Sequence, residues 1–442
     1  MCGIFAIYSK SSFHINLPID ILQQLKHRGK DSFGITFTQN NQNNIETIKS
    51  LNEITKYNNN IYNNLKIAIT HNRYSTTKNK STESLINEIQ PIYFKNDYID
   101  FYLAHNGNIS NITKYISYDD NYSDTQNIIK FFNNTNHNTF EDNLKKFINT
   151  VHCSYSIIIL YNNDLYILRD SYGYKPLVLG SINNDFCVVS EDCIDSFIKI
   201  RDINPGEILK INDYGCKTIY NKNNKLQFKC IFEYIYFMNQ NSTYNETSVY
   251  NIRFKLGQNL ASIETHNFDS NNTIVVGSPN TAIPMGIGFA KYLKLPYNQV
   301  LQKQSTCGRT FILKNQQERL EYCKKFILDK SLIKNKIIIL VDDSLVRGNT
   351  IFNLSKLFFQ NQCSQLHIRI CSPPIKYPCY YGIDIPTYKE LIINNFSIEE
   401  IEKKFNLTSL KYITIDKMLD AFDNNQFCSS CFTGNYNKEL DW

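Results

Sequence analysis

The pattern of apolar residues changes once along the chain, and this change constrains the fold more than any other feature. Up to about residue 225 the apolar residues recur in short alternating runs such as LKIAITH, YIDFYLAH and YSIIILY, which predicts antiparallel β-strands. From about residue 245 helical segments alternate with short apolar strands such as NTIVVG and IIILVDD, which is typical of βαβ units around a parallel sheet. We therefore expect two domains, 2–230 and 231–442.

Charge and cysteine usage narrow the functional classes. The net charge of +6 is spread along the chain without a block of like charges, so neither nucleic acid nor a membrane surface is an expected partner. No apolar run reaches the roughly 18 residues of a membrane span, and the first residues lack a secretory pattern. We expect a cytoplasmic protein whose 13 cysteines are mostly thiols.

Cys2 directly follows Met1 in the segment MCGIFAIYS. If Met1 is removed, Cys2 carries a free α-amine with an ordinary pKa of about 7.7 to 8.0, beside a thiol whose ordinary pKa is about 8.5. The amine can then take the thiol proton, so that one residue supplies nucleophile and general base. A buried structural cysteine is the alternative interpretation, since free cysteines are often buried.

Three further segments place polar residues or glycine at the edges of apolar runs, where loops present reactive groups. They are HRGKDSFGI (27–35), HNRYST (71–76) and AHNGNIS (104–110). Arg73 is suited to holding a carboxylate through two hydrogen bonds. Asn106 and Gly107 are suited to donating hydrogen bonds to an oxyanion from a side-chain amide and a backbone N–H. For Arg28 and His71 the alternative is a purely structural role.

Together with SDTQ (123–126) and RDSYGYKPL (169–177), these segments resemble the class II glutamine amidotransferase domain. The resemblance implies an α+β N-terminal nucleophile fold, which is an αββα sandwich. It also implies that Cys2 attacks the side-chain amide of glutamine, with Asn106 and Gly107 as the oxyanion hole. The glutamine-binding residues that it implies are Arg73, Asp124, Arg28 and Gly29.

The second half contains the segment NKIIILVDDSLVRGNTIFNLSKLFF (335–359), in which an apolar strand ends in Asp342 and Asp343 before a loop and a helix. Backbone N–H groups at such a loop suit a phosphate. The two carboxylates suit sugar hydroxyls or a hard cation such as Mg²⁺. A capped helix with surface acids is the alternative.

The stretch VDDSLVRGNT resembles the binding loop for phosphoribosyl pyrophosphate (PRPP) in type I phosphoribosyltransferases, which implies an α/β fold for the second domain. By this resemblance Asp342 and Asp343 face the ribose hydroxyls, and Thr281 joins them in holding Mg²⁺. The loop after them cradles the 5-phosphate. The PRPP-binding residues that it implies are Asp342, Asp343, Ser344, Arg347, Gly348, Asn349, Thr350 and Lys303.

Four cysteines from three places have a context that the other cysteines lack. Cys428 and Cys431 form a C-x-x-C pair near the end of the chain, Cys379 follows a proline, and Cys230 lies at the domain boundary. Four thiolates suit either zinc or an iron–sulfur cluster, and the spacing does not distinguish the two.

Both halves together, with CGRTFI (307–312), SPPIKYPCYYGIDIPT (372–387) and CSSCFTGNY (428–436), resemble the amidophosphoribosyltransferase family. The resemblance is to its iron–sulfur branch. It implies a C-terminal tail that binds a [4Fe–4S] cluster through Cys230, Cys379, Cys428 and Cys431. It also implies a homo-oligomer, either a tetramer or a dimer, and inhibition by purine nucleotides.

The reaction implied by this resemblance is the committed step of purine synthesis, in which glutamine and PRPP give 5-phosphoribosylamine, glutamate and pyrophosphate. The alternative is a degenerate regulatory paralogue that binds PRPP or a partner without catalysis. Some residues depart from the family pattern: Asn280 stands where an acid is usual, and Ser305 and Thr306 replace Arg and Tyr, which bears on nucleotide feedback. The following segment ILKNQQERLEYCKKF is the expected mobile loop, with Arg319, Lys324 and Lys325 as pyrophosphate contacts.

Overall fold

The structure is a computed structural model that describes residues 1–40, 44–58, 61–74, 82–109, 123–133, 139–224, 226–303, 326–385, 387–422 and 426–437. In these ranges the first half of the chain forms two stacked β-sheets, and the second half forms a parallel sheet with helices. The segment that contains Ser305, Thr306, Arg319, Lys324 and Lys325 lies outside the described residues.

The first sheet contains the N-terminal strand. Its seven strands are β1 (Gly3–Phe13), β2 (Ser32–Gln39), β3 (Ile45–Ser50), β4 (Leu65–Arg73), β9 (Val178–Ile182), β10 (Asp185–Val189) and β11 (Ile198–Asp202). They lie in the order β11–β9–β10–β1–β4–β2–β3, and all neighbours are antiparallel. Gly3 on β1 pairs with Asn72 on β4, so the start of the chain lies beside the end of β4 that carries Arg73.

The second sheet packs against the first. Its six strands are β5 (Ile92–Lys95), β6 (Asp100–Asn108), β7 (Ser154–Tyr161), β8 (Asp164–Arg169), β12 (Glu207–Asn212) and β13 (Gly215–Asn221). They lie in the order β13–β12–β8–β7–β6–β5, again antiparallel. Alternate apolar residues of the two sheets, such as Ile4, Ile69 and Ala104, form the layer between them. This burial of one face of each sheet stabilises the stack.

Helices cover the outer faces of both sheets. They are α1 (Asn16–Gln24), α2 (Thr82–Asn87), α3 (Asp124–Asn133) and α4 (Phe140–Thr150). Leu22 of α1 packs with Phe5 of the first sheet. Ile128 of α3 and Leu144 of α4 pack with Leu103 of the second. The arrangement is the αββα sandwich of the N-terminal nucleophile fold, as the sequence predicts.

The second half is built on a parallel sheet of four strands. Its elements are α5 (Val249–Ser262), β17 (Thr273–Gly277), α6 (Ile283–Leu293), β18 (Leu301–Lys303), β19 (Phe326–Leu328), a 3₁₀ turn (Lys330–Leu332), β20 (Ile337–Asp342), α7 (Asn349–Gln360), β21 (Gln365–Ile370), a second 3₁₀ turn (Tyr388–Glu390), α8 (Ile392–Asn395), α9 (Ile398–Phe405), β22 (Ser409–Tyr412) and α10 (Ile415–Leu419). The strand order is β17–β20–β21–β22. Ile339 and Leu340 of β20 enter different apolar clusters, so the sheet is covered on both faces, which is typical of parallel sheets. The α/β fold that the sequence predicts for this half is confirmed.

The end of the chain returns to the junction of the two halves. Short elements lie here: β14 (Lys229–Cys230), a π-helix (Glu233–Phe237), β15 (Thr243–Tyr244), β16 (Thr247–Ser248), β23 (Phe427–Cys428) and α11 (Ser430–Thr433). Strands β14 and β23 are parallel, with Cys230 opposite Cys428. Among all described helices, none combines the length and the apolar character that a membrane span requires.

Candidate active site

Cys2 is held at the edge of the sandwich by contacts from β6 and from the segment between α1 and β2. Its backbone nitrogen donates a hydrogen bond to Oδ1 of Asn106 on β6, at 3.1 Å. Its carbonyl oxygen accepts one from Nε of Arg28, at 3.0 Å. The side chain of Cys2 is half-buried. The N-terminal end of β1 therefore has a fixed position and an accessible thiol.

Asn106 and Gly107 lie near the end of β6, where Asn106 contacts the nitrogen of Cys2. Asn106 is fully buried, and its Nδ2 has no hydrogen-bond partner among the described residues. A buried amide without a partner costs about 1 to 3 kcal/mol, so this donor is suited to a ligand oxygen. A Cβ on Gly107 would lie 2.1 Å from the carbonyl oxygen of Ser154, so the pairing of β6 with β7 requires glycine there. Asn106 therefore contacts Cys2 and keeps one donor for a ligand, and Gly107 follows it on β6.

Two histidines near the start of the chain are weak bases. Burial and then the charge of Arg73 lower the pKa of His71 to about 3. Burial also lowers the pKa of His105 to about 4, although Asp124 opposes the shift. Both rings are therefore neutral at physiological pH and accept a proton poorly. The base for Cys2 is better supplied by its own α-amine.

Two of the predicted glutamine-binding residues, Arg73 and Asp124, lie near the imidazole of His71. Arg73, the N-terminus and Asp124 all act electrostatically on His71. Nη2 of Arg73 lies 2.5 Å from Oε2 of Glu88, which orients the guanidinium. Asp124 begins α3 and stays about one-third exposed, with 34% side-chain accessibility. A cation and an accessible carboxylate thus lie within electrostatic reach of His71. Such a pair suits the two charged groups of an α-amino acid.

A close backbone contact at this edge of the sheet explains why position 29 is glycine. A Cβ on Gly29 would lie 2.6 Å from the carbonyl carbon and oxygen of Arg73. Glycine therefore lets the segment after Arg28 pass closely over the end of β4. The backbone of this segment is placed between Arg73 and the start of β1.

The guanidinium of Arg28 is occupied by protein groups. It is fully buried, and it contacts Glu191 and Glu233, the latter at 3.2 Å through both Nη atoms. Burial raises the pKa of Glu191, but His27 and Arg28 reverse this and hold it well below its usual range. The side chain of Arg28 therefore braces Cys2, and only its backbone remains for glutamine. The sequence analysis missed both glutamates, which lie 163 and 205 residues away along the chain.

A group of potential metal ligands next to this network is better explained as part of it. Ligand atoms of His27, Glu191 and Cys193 lie within 4.8 Å of one another. However, Arg28 already contacts Glu191, and a metal ion there would be repelled by the guanidinium. We therefore assign the group to the bracing of Cys2.

A second candidate site lies at the carboxyl end of β20. The Oγ1 of Thr281 donates to Oδ2 of Asp343 at 2.5 Å, and the hydroxyl of Ser344 donates to Oδ1 at 2.6 Å. The backbone N–H of Asp343 donates to Oδ1 of Asp342 at 3.0 Å. Burial and repulsion from Asp343 raise the pKa of Asp342, and burial raises that of Asp343. Two buried carboxylates with raised pKa values favour a bound cation.

The loop after this acidic pair leads into α7. Gly348 has φ +85°, and a Cβ there would lie 2.6 Å from Ile392, so the turn requires glycine. Asn349 and Thr350 are exposed at the first turn of α7, where unpaired backbone N–H groups suit a phosphate. Arg347 contacts Glu390 at 2.9 Å. The predicted phosphate loop is thus preformed.

Lys303 approaches the same site from the end of β18. Burial raises the pKa of Asp343 and the charge of Lys303 opposes this shift, so the ammonium lies within electrostatic reach of the carboxylate. The end of β18, the end of β20 and the segment before α6 therefore bring Lys303, Asp343 and Thr281 together.

The four predicted cysteine ligands line one apolar cavity. Cys230, Cys379, Cys428 and Cys431 surround it, together with Tyr174, Phe232 and Tyr381. Burial raises the pKa of Cys428 to about 11, and burial with the three other thiols raises that of Cys431 well above its ordinary value. Thiols in this setting lose protons only to a bound metal, so the donor set fits zinc or an iron–sulfur cluster.

No family model matches the chain. It is 33% identical to the amidophosphoribosyltransferase of Methanocaldococcus jannaschii, over 100% of this chain and 98% of that protein. It is 30% identical to the amidophosphoribosyltransferase of Bacillus subtilis, over 99% of this chain and 94% of that protein. It is also 30% identical to the human amidophosphoribosyltransferase, over 100% of this chain and 98% of that protein.

Two solved structures resemble the whole chain. One is glutamine PRPP amidotransferase from B. subtilis complexed with ADP and GMP, with a TM-score of 0.86 and 29% identity, over 98% of this chain and 97% of that chain. The other is described as the allosteric regulatory enzyme of purine biosynthesis, with a TM-score of 0.87 and 29% identity, over 100% of this chain and 97% of that chain.

Proposed function

Because the chain belongs to the amidophosphoribosyltransferase family, we propose that Cys2 releases ammonia from glutamine and that the second half transfers it to C1 of PRPP. The enzyme catalyses the first committed step of purine biosynthesis. Its products are 5-phosphoribosylamine, glutamate and pyrophosphate. The assignment of these residues rests mainly on the contacts of Asn106. Its Oδ1 accepts a hydrogen bond from the Cys2 nitrogen, and its buried Nδ2 has no partner among the described residues.

The glutaminase step follows from the groups around Cys2. After Met1 is removed, the α-amine takes the thiol proton while Oδ1 of Asn106 orients it. The sulfur attacks the amide carbon, and the oxyanion is stabilised by Nδ2 of Asn106 and the N–H of Gly107. The amine returns its proton to the leaving ammonia, and water hydrolyses the thioester. Arg73 and Asp124 hold the α-carboxylate and α-amine of glutamine.

The acceptor step uses the carboxyl end of β20. Thr281, Asp342 and Asp343 would hold Mg²⁺, which supplies positive charge to the pyrophosphate leaving group. The loop from Ser344 to Thr350 would bind the 5-phosphate, and Lys303 adds positive charge nearby. The raised pKa values of the two buried carboxylates support a cation at this place.

We propose a [4Fe–4S] cluster on Cys230, Cys379, Cys428 and Cys431, with zinc as the alternative. The common cavity of the four thiols supports a metal site of either kind. Its role is structural, because neither half-reaction transfers electrons. The domain boundary at 230/231, the homo-oligomer, inhibition by purine nucleotides and the cytoplasmic location remain predictions. No observation above favours the degenerate regulatory paralogue.

The test is glutamate release from glutamine by protein purified without oxygen, with and without PRPP and Mg²⁺. We expect strong stimulation by PRPP, because the two half-reactions are coupled by site closure. Cys2→Ala should abolish glutamine-dependent synthesis and spare ammonia-dependent synthesis, and intact mass should show the loss of Met1. Glutamine-dependent activity in Cys2→Ala would disprove the mechanism.

Asp343→Asn tests the second site separately. Removing one carboxylate should weaken Mg²⁺–PRPP binding, so synthesis from both nitrogen donors falls while basal glutamate release without PRPP persists. Asp213→Asn, an exposed carboxylate paired with Lys66, is the matched control. Wild-type PRPP dependence in Asp343→Asn would place the acceptor site elsewhere.

A further inference from the structure

Lys175 is a buried lysine that the glutaminase mechanism does not yet use. Its side chain is 0% exposed, and its Nζ lies 2.9 Å from Sδ of Met1, which is itself buried. Within the described part of the chain, no carboxylate oxygen lies within ion-pair distance of this ammonium. A thioether is a weak acceptor, so this contact compensates a buried charge poorly.

The removal of Met1 changes the surroundings of the Lys175 ammonium. The thioether leaves, and the nitrogen of Cys2 becomes the chain terminus next to the vacated volume. The backbone of Lys175 cannot retreat easily, because its carbonyl accepts a hydrogen bond from the buried Arg169, at 2.9 Å. In addition, the carbonyl of Tyr174 accepts one from the N–H of Cys230, at 3.3 Å.

We propose that Lys175 is a positioning residue for glutamine hydrolysis, whose ammonium keeps the α-amine of mature Cys2 uncharged and therefore ready to accept the thiol proton. The inference rests on the proposed function of Cys2. Its physical basis is repulsion between like charges, which is strong where water is excluded.

In the chain that retains Met1, burial and nearby charges act on the terminal amine of that residue. Burial lowers the pKa of the terminal amine to about 6. The thiol of Cys2 raises it, Lys175 and Arg28 lower it further, and Glu233 raises it. A buried amine between two cations is thus disfavoured in its charged form.

Arg28 and the nearby histidines affect the charge of the amine less than Lys175 does. The guanidinium of Arg28 contacts two carboxylates, Glu191 and Glu233, which offset its charge. His71 and His105 also face this end of the sandwich, but burial keeps both neutral. Lys175 is therefore the cation whose removal should change the amine most.

Lys175 also lies near the four-thiol cavity. Burial raises the pKa of Cys230 and of Cys428, and the ammonium of Lys175 opposes both shifts, so it lies within electrostatic reach of these thiols. Lys175 is therefore near both that cavity and Met1.

The test is the pH dependence of kcat/KM for glutamate release at saturating PRPP, in Lys175→Met, Lys175→Arg and wild type. We expect the midpoint of the acidic limb to rise by about one pH unit in Lys175→Met and to stay in place in Lys175→Arg. The activity of Lys175→Met should approach that of wild type above this limb. Lys66→Met, at the opposite end of β4 from Arg73, is the matched control and should keep the wild-type midpoint.

An unchanged midpoint in Lys175→Met would overturn the inference, even if the maximal rate falls. A second measurement needs no variant: the α-amine of ¹⁵N-cysteine-labelled wild type is titrated by NMR. We expect its midpoint below the ordinary range of about 7.7 to 8.0, and a midpoint within or above that range also overturns the inference. Glutamine-dependent activity in Cys2→Ala would instead refute the proposed function, so the two failures are distinguishable.

Discussion

Asn106 is the most informative residue to change, because its Oδ1 accepts a hydrogen bond from the Cys2 nitrogen and its buried Nδ2 is the proposed oxyanion donor. Asn106→Ala removes this acceptor and the proposed donor. We expect kcat for glutamate release to fall roughly 100-fold to 1000-fold, with a smaller change in KM, because the donor acts mainly on the developing charge. Steady-state kinetics with glutamine measure this effect.

Ammonia-dependent synthesis should be unchanged in Asn106→Ala, which shows that the fold and the acceptor site are intact. Asn149→Ala, which removes a contact to the half-buried Tyr220, is the control for the loss of a side-chain amide from the first half of the chain. A loss of less than about tenfold would exclude Asn106 from the oxyanion hole.

Some site residues can be predicted from the sequence alone, and others cannot. Cys2, Asn106 and the Asp342–Asp343 pair stand in local motifs, so their chemistry could be predicted from neighbouring letters. Glu191, Glu233 and the contact of Lys175 with Met1 depend on chain segments that meet only in the folded state. They have no local signal, because any buried cation can find its partner at any sequence distance.

At the scale of elements, the end of α5 is joined to the parallel sheet by one buried carboxylate. Glu264 lies just after α5; its Oε2 contacts Nε of Arg369 on β21 at 2.5 Å, and its Oε1 contacts Nζ of Lys411 on β22 at 3.2 Å. Burial raises its pKa, but the hydrogen bond and charge of Arg369 dominate and lower it to about 2.

This lowered pKa gives a pH-dependent stability. The folded state binds fewer protons to Glu264 than the unfolded state, so the stabilisation is complete above about pH 4.5 and is lost as the pH falls towards 2. We expect Glu264→Gln to lower the free energy of unfolding by roughly 2 to 3 kcal/mol at pH 7, and by much less near pH 3. Urea unfolding at both pH values measures the difference.

The matched control for this measurement is Glu246→Gln, at an exposed position before α5. It should change the free energy of unfolding little at either pH. An equal loss in Glu264→Gln at pH 7 and pH 3 would show that side-chain packing, rather than charge, is what Glu264 contributes.

Element boundaries were less predictable than element types. The segment PIDILQQLKHRG has helical periodicity, yet α1 ends at Gln24 and the chain turns so that Arg28 reaches Cys2. The helix α4 (Phe140–Thr150) has a Thr139 cap and a buried apolar face, but its many polar residues made it less evident in the sequence. In both places tertiary contacts decide where the helix lies, and local propensity only permits it.

At the scale of the whole molecule, the four-thiol cavity connects the last described elements to the junction of the halves. Strands β14 and β23 contribute only two residues each, so their pairing alone is a weak link. We therefore expect Cys431→Ser to lose the metal, to lower Tm by several degrees and to expose the tail to proteases. Metal analysis, thermal unfolding and limited proteolysis read out these effects.

Cys216→Ser, at a half-buried cysteine of β13, is the control for loss of a thiol and should keep metal, Tm and protease resistance. If Cys431→Ser retained its metal and a protected tail, another set of ligands would have to hold it. Glutamate release should fall in Cys431→Ser only as far as the folded fraction falls, since the role proposed for the metal is structural.

The pairing of β14 with β23 also determines when the four-thiol site can assemble during biosynthesis. In the nascent chain Cys230 has no partner strand until Cys428 and Cys431 have left the ribosome. A polypeptide that ends before Cys428 would therefore lack a complete thiol set.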